Sequence, residues 1–568
     1  MPPVFSKETR KVYVRNDGRA GQGRTSPCEN RCPLGNPIQK MERAVAEGDP
    51  SLALYLLRAC NPFPGVTGRV CPHPCEEACN RGQYDEAISI RALERFAADA
   101  GAAGLKRLSP LPPSGRRIAV VGSGPAGLSC AWFSALLGHE VTVFEAAPVA
   151  GGVPRQSIPD FRLPKDVADR ELGHILDLGV RVLTNTEVGR DVSLREIMER
   201  HDACLLAVGS RRERMLSIPG IGHALPAVSF LREANLSRRS LAGKRVVILG
   251  GGGVAFDCAF TARRLGAESV SLICPETRDA VRVPRAEVEQ ADDEGVVLHA
   301  GYLAAAVECG EGNVVRAVTA DAVSSFSFDE AGTLRAEFVP GGRLRVEADV
   351  VICASGLLPD LSLLEGEGGL PGVERTPRGC VKTLHSAASL PGLFAAGECA
   401  SGPSLVASAI AGGRAAAFDI HAWLNGEEAG RPLDVRVDEE GRLALERPEA
   451  KAVPHEVEFG EIVNIVHHAK APRNRSAALA SRGAWLAFEE LDGGLAPEAA
   501  RAEAERCLHC GHCQACGECV ASCPGLILKA GDGAPEVAYP DECWHCGCCR
   551  LACPGACISF RFPLHTFL

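Results

Sequence analysis

Trp, Tyr and Met number only 4, 5 and 4 in a chain of 568 residues. So few large amphipathic side chains argue against an extensive aromatic recognition surface. Long apolar runs are also missing. The most apolar stretch, residues 117–144, is interrupted by Gly122, Gly124, Gly127, Gly138, His139 and Glu140, so no membrane span is expected. The first residues lack the charged-then-apolar pattern of a secretion leader, and the expected location is cytoplasmic. There is no excess of positive charge: 71 acids against 61 Lys and Arg give −10, which argues against a nucleic-acid partner.

Glycine and cysteine are present in quantity, at 61 and 26 residues. The cysteines concentrate at the two ends, several in CxxC or CxxxC spacing. A disulfide framework is the plain alternative, but a chain this long does not need such staples, and clustered thiolates in a reducing compartment hold metal. The expectation is a multidomain α/β protein with a helical Fe–S domain at 1–113 and two nested Rossmann-like dinucleotide-binding domains. The first of these is split between 114–240 and 345–425, and the second occupies 241–344. A polar connector at 426–505 then leads to a bacterial-type ferredoxin domain at 506–568.

The strand–glycine–helix pattern occurs twice. At 117–145 a strand leads into Gly122, Gly124 and Gly127 with Ala126 inside the turn, then a helix, then a strand ending at Glu145. Glycines there let backbone N–H groups and a helix N-terminus approach a pyrophosphate, and the acid accepts from a ribose hydroxyl. FAD is the expected occupant, with Gly152 part of the same site. The second turn carries Gly250, Gly252, Gly253 and Ala255, and its next strand ends near Glu276. This is the expected nicotinamide nucleotide site. A carboxylate at 276 accepts the 2′-OH of NADH and repels a 2′-phosphate, so NAD(H) is favoured over NADP(H). Arg278, Arg282 and Arg285 stand close by as the opposing signal.

Cys513, Cys516, Cys519 and Cys523-Pro524 form CxxCxxCxxxCP, and Cys543, Cys546, Cys549 and Cys553-Pro554 repeat it. This is the two-cluster ferredoxin signature, in which the fourth cysteine of each run crosses to the other [4Fe–4S] cluster. One cluster is then assigned to Cys513, Cys516, Cys519 and Cys553, and the other to Cys543, Cys546, Cys549 and Cys523. A zinc ribbon has no use for eight ligands in this order. Cys548 and Cys557 are read as packing residues, as is Cys60.

At the N-terminal end stand TSPCENRCPLGNPI (25–38), NPFPGVTGRVCPHPCEEAC (61–79) and ISIRALERFAAD (88–99). With both glycine turns and IPDFRLPK (158–165), these resemble the glutamate synthase small-subunit family and its relatives in dihydropyrimidine dehydrogenase and ferredoxin:NADP transhydrogenases, over residues 25–420. The resemblance implies that Gly397 and Glu398, with Gly402, Gly412 and Gly413, form a second FAD motif, where the family usually carries Asp at 398. It likewise implies that Gly356 matches a glycine after the late strand. It implies a mixed [4Fe–4S] cluster on Cys32, Cys71, Cys75 and Glu94. A further family cluster takes cysteines matching Cys28 and Cys79 plus two from an upstream RCxxCG, which this chain lacks. That spacing appears instead at residues 506–511, so Cys507 and Cys510 are the candidates to join Cys28 and Cys79, within one chain or across a homodimer.

The expected activity is electron transfer between NAD(P)H, FAD and three or four [4Fe–4S] clusters, to or from a ferredoxin or the catalytic subunit of a larger complex. A non-catalytic wiring subunit is the alternative, against which the intact glycines at 250 and 252 count. No catalytic acid or base is assigned, because hydride exchange with a flavin needs none.

Overall fold

The structure, a computed structural model, describes residues 11–14, 24–104, 106–329, 334–430, 434–438, 440–446, 454–476, 487–531, 534–539, 542–544 and 546–561. The longer helices of the N-terminal region are α1 (Ile38–Ala46), α2 (Pro50–Arg58), α3 (Pro64–Val70) and α4 (Ile90–Ala100). Asp49 caps α2 by accepting from Leu52 N at 2.9 Å, with Pro50 in the first helical position, where its missing N–H costs nothing. In α1, Ile38, Met41 and Val45 recur at helical spacing and meet Leu57, Ile90 and Leu93 in one core.

Two parallel five-stranded sheets follow. The chain lays down β1 (Arg117–Val121), α5 (Pro125–Leu136), β2 (Glu140–Phe144), β3 (Arg181–Leu183) and β4 (Ala203–Leu206). It then leaves to build a second sheet from β5 (Leu225–Pro226), β6 (Arg245–Leu249), β7 (Ser269–Cys274), β8 (Val296–Ala300) and β9 (Val350–Cys353), with α6 (Gly253–Arg264) after β6. It returns to add β10 (Leu393–Ala395) beside β4, followed by α7 (Val406–Leu424). The strand orders are β10-β4-β1-β2-β3 and β8-β7-β6-β9-β5. One dinucleotide fold is thus inserted into the other.

The expected boundaries need correcting on both sides of the insertion. The apolar strand β9 falls in the stretch assigned to the first fold, yet it pairs with β6 in the second, Val350 opposite Val246 through Cys353 opposite Leu249. Likewise β5, before residue 240, is an edge strand of the second sheet. A three-stranded antiparallel sheet (302–309, 315–328 and 334–347) that the sequence reading did not anticipate also packs on this domain.

The stretch 426–505 is more than a connector. His455–Glu456 pairs parallel with Arg24–Thr25, and α8 (Pro497–Ala504) packs Ala500 and Ala504 into the core of α1, α2 and α4. Its Glu503, fully buried, accepts from Ser89 N at 2.8 Å and Asn474 N at 2.7 Å and pairs with Arg506 at 2.7 Å. The chain therefore doubles back to complete the N-terminal domain before it enters the ferredoxin motif.

Candidate functional site: two nucleotide turns and four groups of cysteines

The first turn is shaped by close backbone packing. Gly122 has φ +104°, and a Cβ there would stand 2.4 Å from Ala207 O; one on Gly127 would stand 2.0 Å from Gly122 O. Only glycine fits either place. A Cβ on Gly124, the N-cap of α5, would meet nothing within 4 Å, which is the open approach a pyrophosphate needs. Gly152 closes on Gly124, its Cβ position 2.7 Å from the Gly124 Cα. Glu145 is buried and accepts from Ser123 N at 3.0 Å, from the Ser123 hydroxyl and from Ala147 N at 2.7 Å. α7 crosses α5 where a Cβ on Gly413 would be 2.0 Å from Ala126 O, and one on Gly397 2.8 Å from the Ala126 Cβ. Glu398 accepts from Ser404 N at 3.2 Å, and burial raises its pKa. This cradle fits a dinucleotide such as FAD.

At the second turn Gly250 has φ +141°, and a Cβ would lie 2.5 Å from Ala354 O. Gly252, Gly253 and Gly356 face open space, and Ala255 is fully buried under the turn. Glu276 aims inward. Its Oε2 is buried without a hydrogen-bond partner and lies 3.0 Å from where a Gly251 Cβ would be. Of the nearby arginines, Arg278 pairs with Asp292 and Arg285 with Glu289.

The two dinucleotide domains are locked by the IPDFRLPK segment, whose role the sequence reading left open. Phe161 inserts into the core of the second domain, edge-on to Phe260 with the Arg264 guanidinium 4.0 Å over its ring. Arg162 is held by Asp257 and, at 2.9 Å, by Glu287.

The cysteines assigned to clusters gather in separate groups. Cys32, Cys71, Cys75 and Glu94 line one small pocket. Glu94 is buried and its Oε1 accepts from Thr67 Oγ1 at 2.6 Å, Asn61 Nδ2 at 3.1 Å and Asn36 Nδ2 at 3.3 Å. Three donors on one oxygen fix the carboxylate at the pocket wall, as outer partners orient a metal ligand. Burial raises its pKa to about 7 despite them. Cys523, Cys543, Cys546 and Cys549 line a second pocket, and Cys513, Cys516, Cys519 and Cys553 share a cavity of about 980 Å³. Cys557, read as packing alone, hydrogen-bonds Cys553 and with backbone N–H groups lowers its pKa to about 6. That stabilises the thiolate a cluster would take.

The remaining four thiols also come together within one chain. Cys28, Cys507 and Cys510 are buried, and Cys79 is half-buried beside them. Burial first, then neighbours, pushes each thiol up: Cys79 acts on Cys28 and on Cys510, and Cys28 and Cys510 act on Cys507. Asn80 Nδ2 donates to Cys510 Sγ at 3.4 Å and Gln39 Nε2 to Cys510 O at 2.9 Å. Arg81 donates to Arg506 O at 2.7 Å. Among the described residues no three His, Cys, Asp or Glu side chains close on a single metal ion. A cubane takes one ligand per corner iron and asks for a wider spread. Every cysteine is a free thiol, against the disulfide alternative.

The model of the pyridine nucleotide-disulphide oxidoreductases matches residues 116–413, over half of the chain. The chain belongs to that family. A second model, dihydropyrimidine dehydrogenase domain II with a 4Fe-4S cluster, matches residues 4–104. Among curated relatives, the NADP(+)-dependent formate dehydrogenase subunit beta of Moorella thermoacetica is 35% identical, over 90% of this chain and 72% of its own. The NADPH-Fe(3+) oxidoreductase subunit beta of Geobacter sulfurreducens is 33% identical, over 86% and 75%. The glutamate synthase [NADPH] small chain of Escherichia coli is 34% identical, over 70% and 88%. This oxidoreductase is therefore of the glutamate synthase small-chain kind, an NAD(P)H-dependent flavoprotein with a [4Fe–4S] domain. No described helix is long and apolar enough to cross a membrane.

Proposed function

We propose that this oxidoreductase is the coenzyme-handling subunit of a larger redox complex, relaying electrons between a nicotinamide nucleotide and a partner protein through one FAD and four [4Fe–4S] clusters. The flavin, when bound, supplies the two-to-one electron conversion and the clusters supply single-electron steps. The observation that carries the reading is the continuity of sites along α7. Val406 borders the cleft formed by Pro125, Gly151 and Pro154 at the FAD turn, while its neighbour Ala407 lines the pocket of Cys32, Cys71, Cys75 and Glu94.

The residues beyond extend that line outward. Cys28, Cys79, Cys507 and Cys510 would hold the second cluster, and Cys507 also borders the cavity of Cys513, Cys516, Cys519 and Cys553. The last pocket, with Cys523, Cys543, Cys546 and Cys549, is walled by Trp544 at 72% exposure. Electrons would meet the partner there. That two of these relatives are beta subunits supports a partner subunit. A free ferredoxin in that role, or a homodimer, is an outcome for the test.

Coenzyme choice is drawn two ways. The relatives are named for NADP(+) or NADPH, whereas the buried, unpartnered Glu276 oxygen above the turn favours a ribose 2′-hydroxyl. We assign NADH on that carboxylate. The deciding experiment is anaerobic titration of the reconstituted protein with NADH and separately NADPH, following flavin bleaching and cluster EPR together. Flavin bleaching by NADH followed by reduced-cluster signals is the expected result. Failure of both nucleotides to reduce the flavin would leave a wiring subunit with a dead coenzyme site. For the second cluster, a Cys507→Ser, Cys510→Ser double variant that keeps all of the parent iron would refute the assignment.

A further inference from the structure

Beside the group of Cys28, Cys79, Cys507 and Cys510 stands a fifth donor. Glu42 sits on the inner face of α1, between Met41 and Val45 of the core, at 1% exposure. Neither of its carboxylate oxygens has a hydrogen-bond partner of normal geometry. An unpaired buried carboxylate is costly, and among the described residues no ion pair supplies Glu42 with the usual remedy, a cation. Glu29, Glu503 and Glu76 stand near enough to add like charge. The nearby guanidinium of Arg506 is committed to Glu503 and Asp85, and that of Arg81 to Asp85. What Glu42 does face is the Cys507 thiol. The other buried polar residue of this helix, Gln39, gives its amide N–H to Cys510 O, whereas packing alone gives no reason for an acid at 42.

We propose that Glu42 is an alternative iron ligand of this site, able to take the corner otherwise held by Cys507. The inference rests on the four-thiol cluster proposed above. In the exchange a carboxylate oxygen–iron bond would form as the Cys507 sulfur–iron bond breaks, one anionic donor replacing another at the same iron. Nothing is oxidised or reduced, and the charge of the pocket does not change. That neutrality matters in a buried site, where adding or removing a charge is expensive. Iron accepts both donor types, the carboxylate being the harder.

The test compares the full-length, anaerobically reconstituted parent with Cys507→Ala, Glu42→Leu and the Cys507→Ala, Glu42→Leu double variant. Iron and sulfide per chain and the EPR of the dithionite-reduced protein are read, with flavin content as the check on folding. Cys507→Ala is expected to keep the parent iron while one cluster signal shifts, and Glu42→Leu to keep both iron and signals. The double variant is expected to lose one cluster's worth of iron and sulfide. Loss of that same amount by Cys507→Ala alone would overturn the proposal. A Cys28→Ala, Cys79→Ala variant separates the two levels of inference: if it keeps all of its iron, the four-thiol cluster itself is wrong.

Discussion

Glu276→Gln keeps the size and hydrogen-bonding capacity of the side chain and removes its charge. The Glu276 Oε2 makes no hydrogen bond of normal geometry, has the Cys274 thiol beside it and overlies Gly251, 3.0 Å from the Cβ position of that glycine, so the carboxylate stands over the turn that would receive the adenosine ribose. A hydrogen bond to a charged acceptor contributes about 1.5–3 kcal/mol, most of which NADH would lose. A 2′-phosphate would carry a charge of about −1.5 to −2 at neutral pH. Opposed to the carboxylate at ~4 Å, it is repelled by about 1–4 kcal/mol per unit charge, depending on the solvent that reaches between them. Taking about 1.5 kcal/mol from each side, the NADH:NADPH ratio of kcat/KM should fall by about 3 kcal/mol, or roughly 100-fold. The assay is anaerobic steady-state reduction of a viologen dye by each nucleotide. A gain with NADPH is the diagnostic half, because damage to the fold does not raise an activity. Equal losses with both nucleotides, or an unchanged ratio, would refute the reasoning.

Glu94→Leu strands the Thr67 hydroxyl and the Asn61 and Asn36 amides, at about 1–3 kcal/mol for each donor left buried and unpaired. It should also cost one cluster's worth of iron, which Glu94→Gln should largely restore; iron and sulfide assays with thermal melts decide. Gly413→Ala places a carbon 2.0 Å from the Ala126 carbonyl oxygen. The overpacking, about 1–3 kcal/mol, should weaken FAD retention roughly 5- to 100-fold, as measured by flavin extracted per chain. His139, buried and lowered to about 4 by desolvation and then by His421, stays neutral in the fold and binds a proton in the unfolded chain below about pH 6.5. Its contribution is therefore intact above pH 6.5 and is lost as pH falls toward 4, by up to about 3 kcal/mol. In urea titrations His139→Leu should show a flatter acid limb than the parent; parallel limbs would exclude this source.

Local spacing made most of the site legible. The two glycine turns could be placed because the residues that need glycine, Gly122, Gly127 and Gly250, do so against backbone atoms only a few residues or one strand away. The ferredoxin thiols were equally readable, since each close run curls around its own pocket and the crossing cysteines, Cys523 and Cys553, are fixed by the repeat. Long-range pairing was less accessible. An apolar strand such as β9 is compatible with either parallel sheet, and only its register against β6 decides the matter. Glu42 gave no signal because an isolated acid in an amphipathic helix reads as solvated. Cys557 packs in the ferredoxin core as expected, and its hydrogen bond to Cys553 is an addition that spacing does not show.

The displaced RCxxCG motif has a structural consequence beyond ligand supply. Were residues 426–505 a loose tether, the ferredoxin clusters would sample many positions, and transfer to them would depend on chance approach. Instead α8 shares a core with α1, α2 and α4, Arg506 pairs with Asp85, and Gly511 lies against Arg24, 3.1 Å from its Cβ position to the Arg24 backbone. His512 adds a contact to Glu29 at 3.1 Å. The first ferredoxin cysteine, Cys513, follows at once. The ferredoxin therefore enters from a rigid anchor, and the residues that anchor it are the same ones that present Cys507 and Cys510 to Cys28 and Cys79. Docking and wiring are one set of interactions, so a substitution such as Glu503→Ala, which leaves Arg506 with Asp85 alone as its carboxylate partner and strands the Ser89 amide, should disturb cluster signals at both ends of the chain at once.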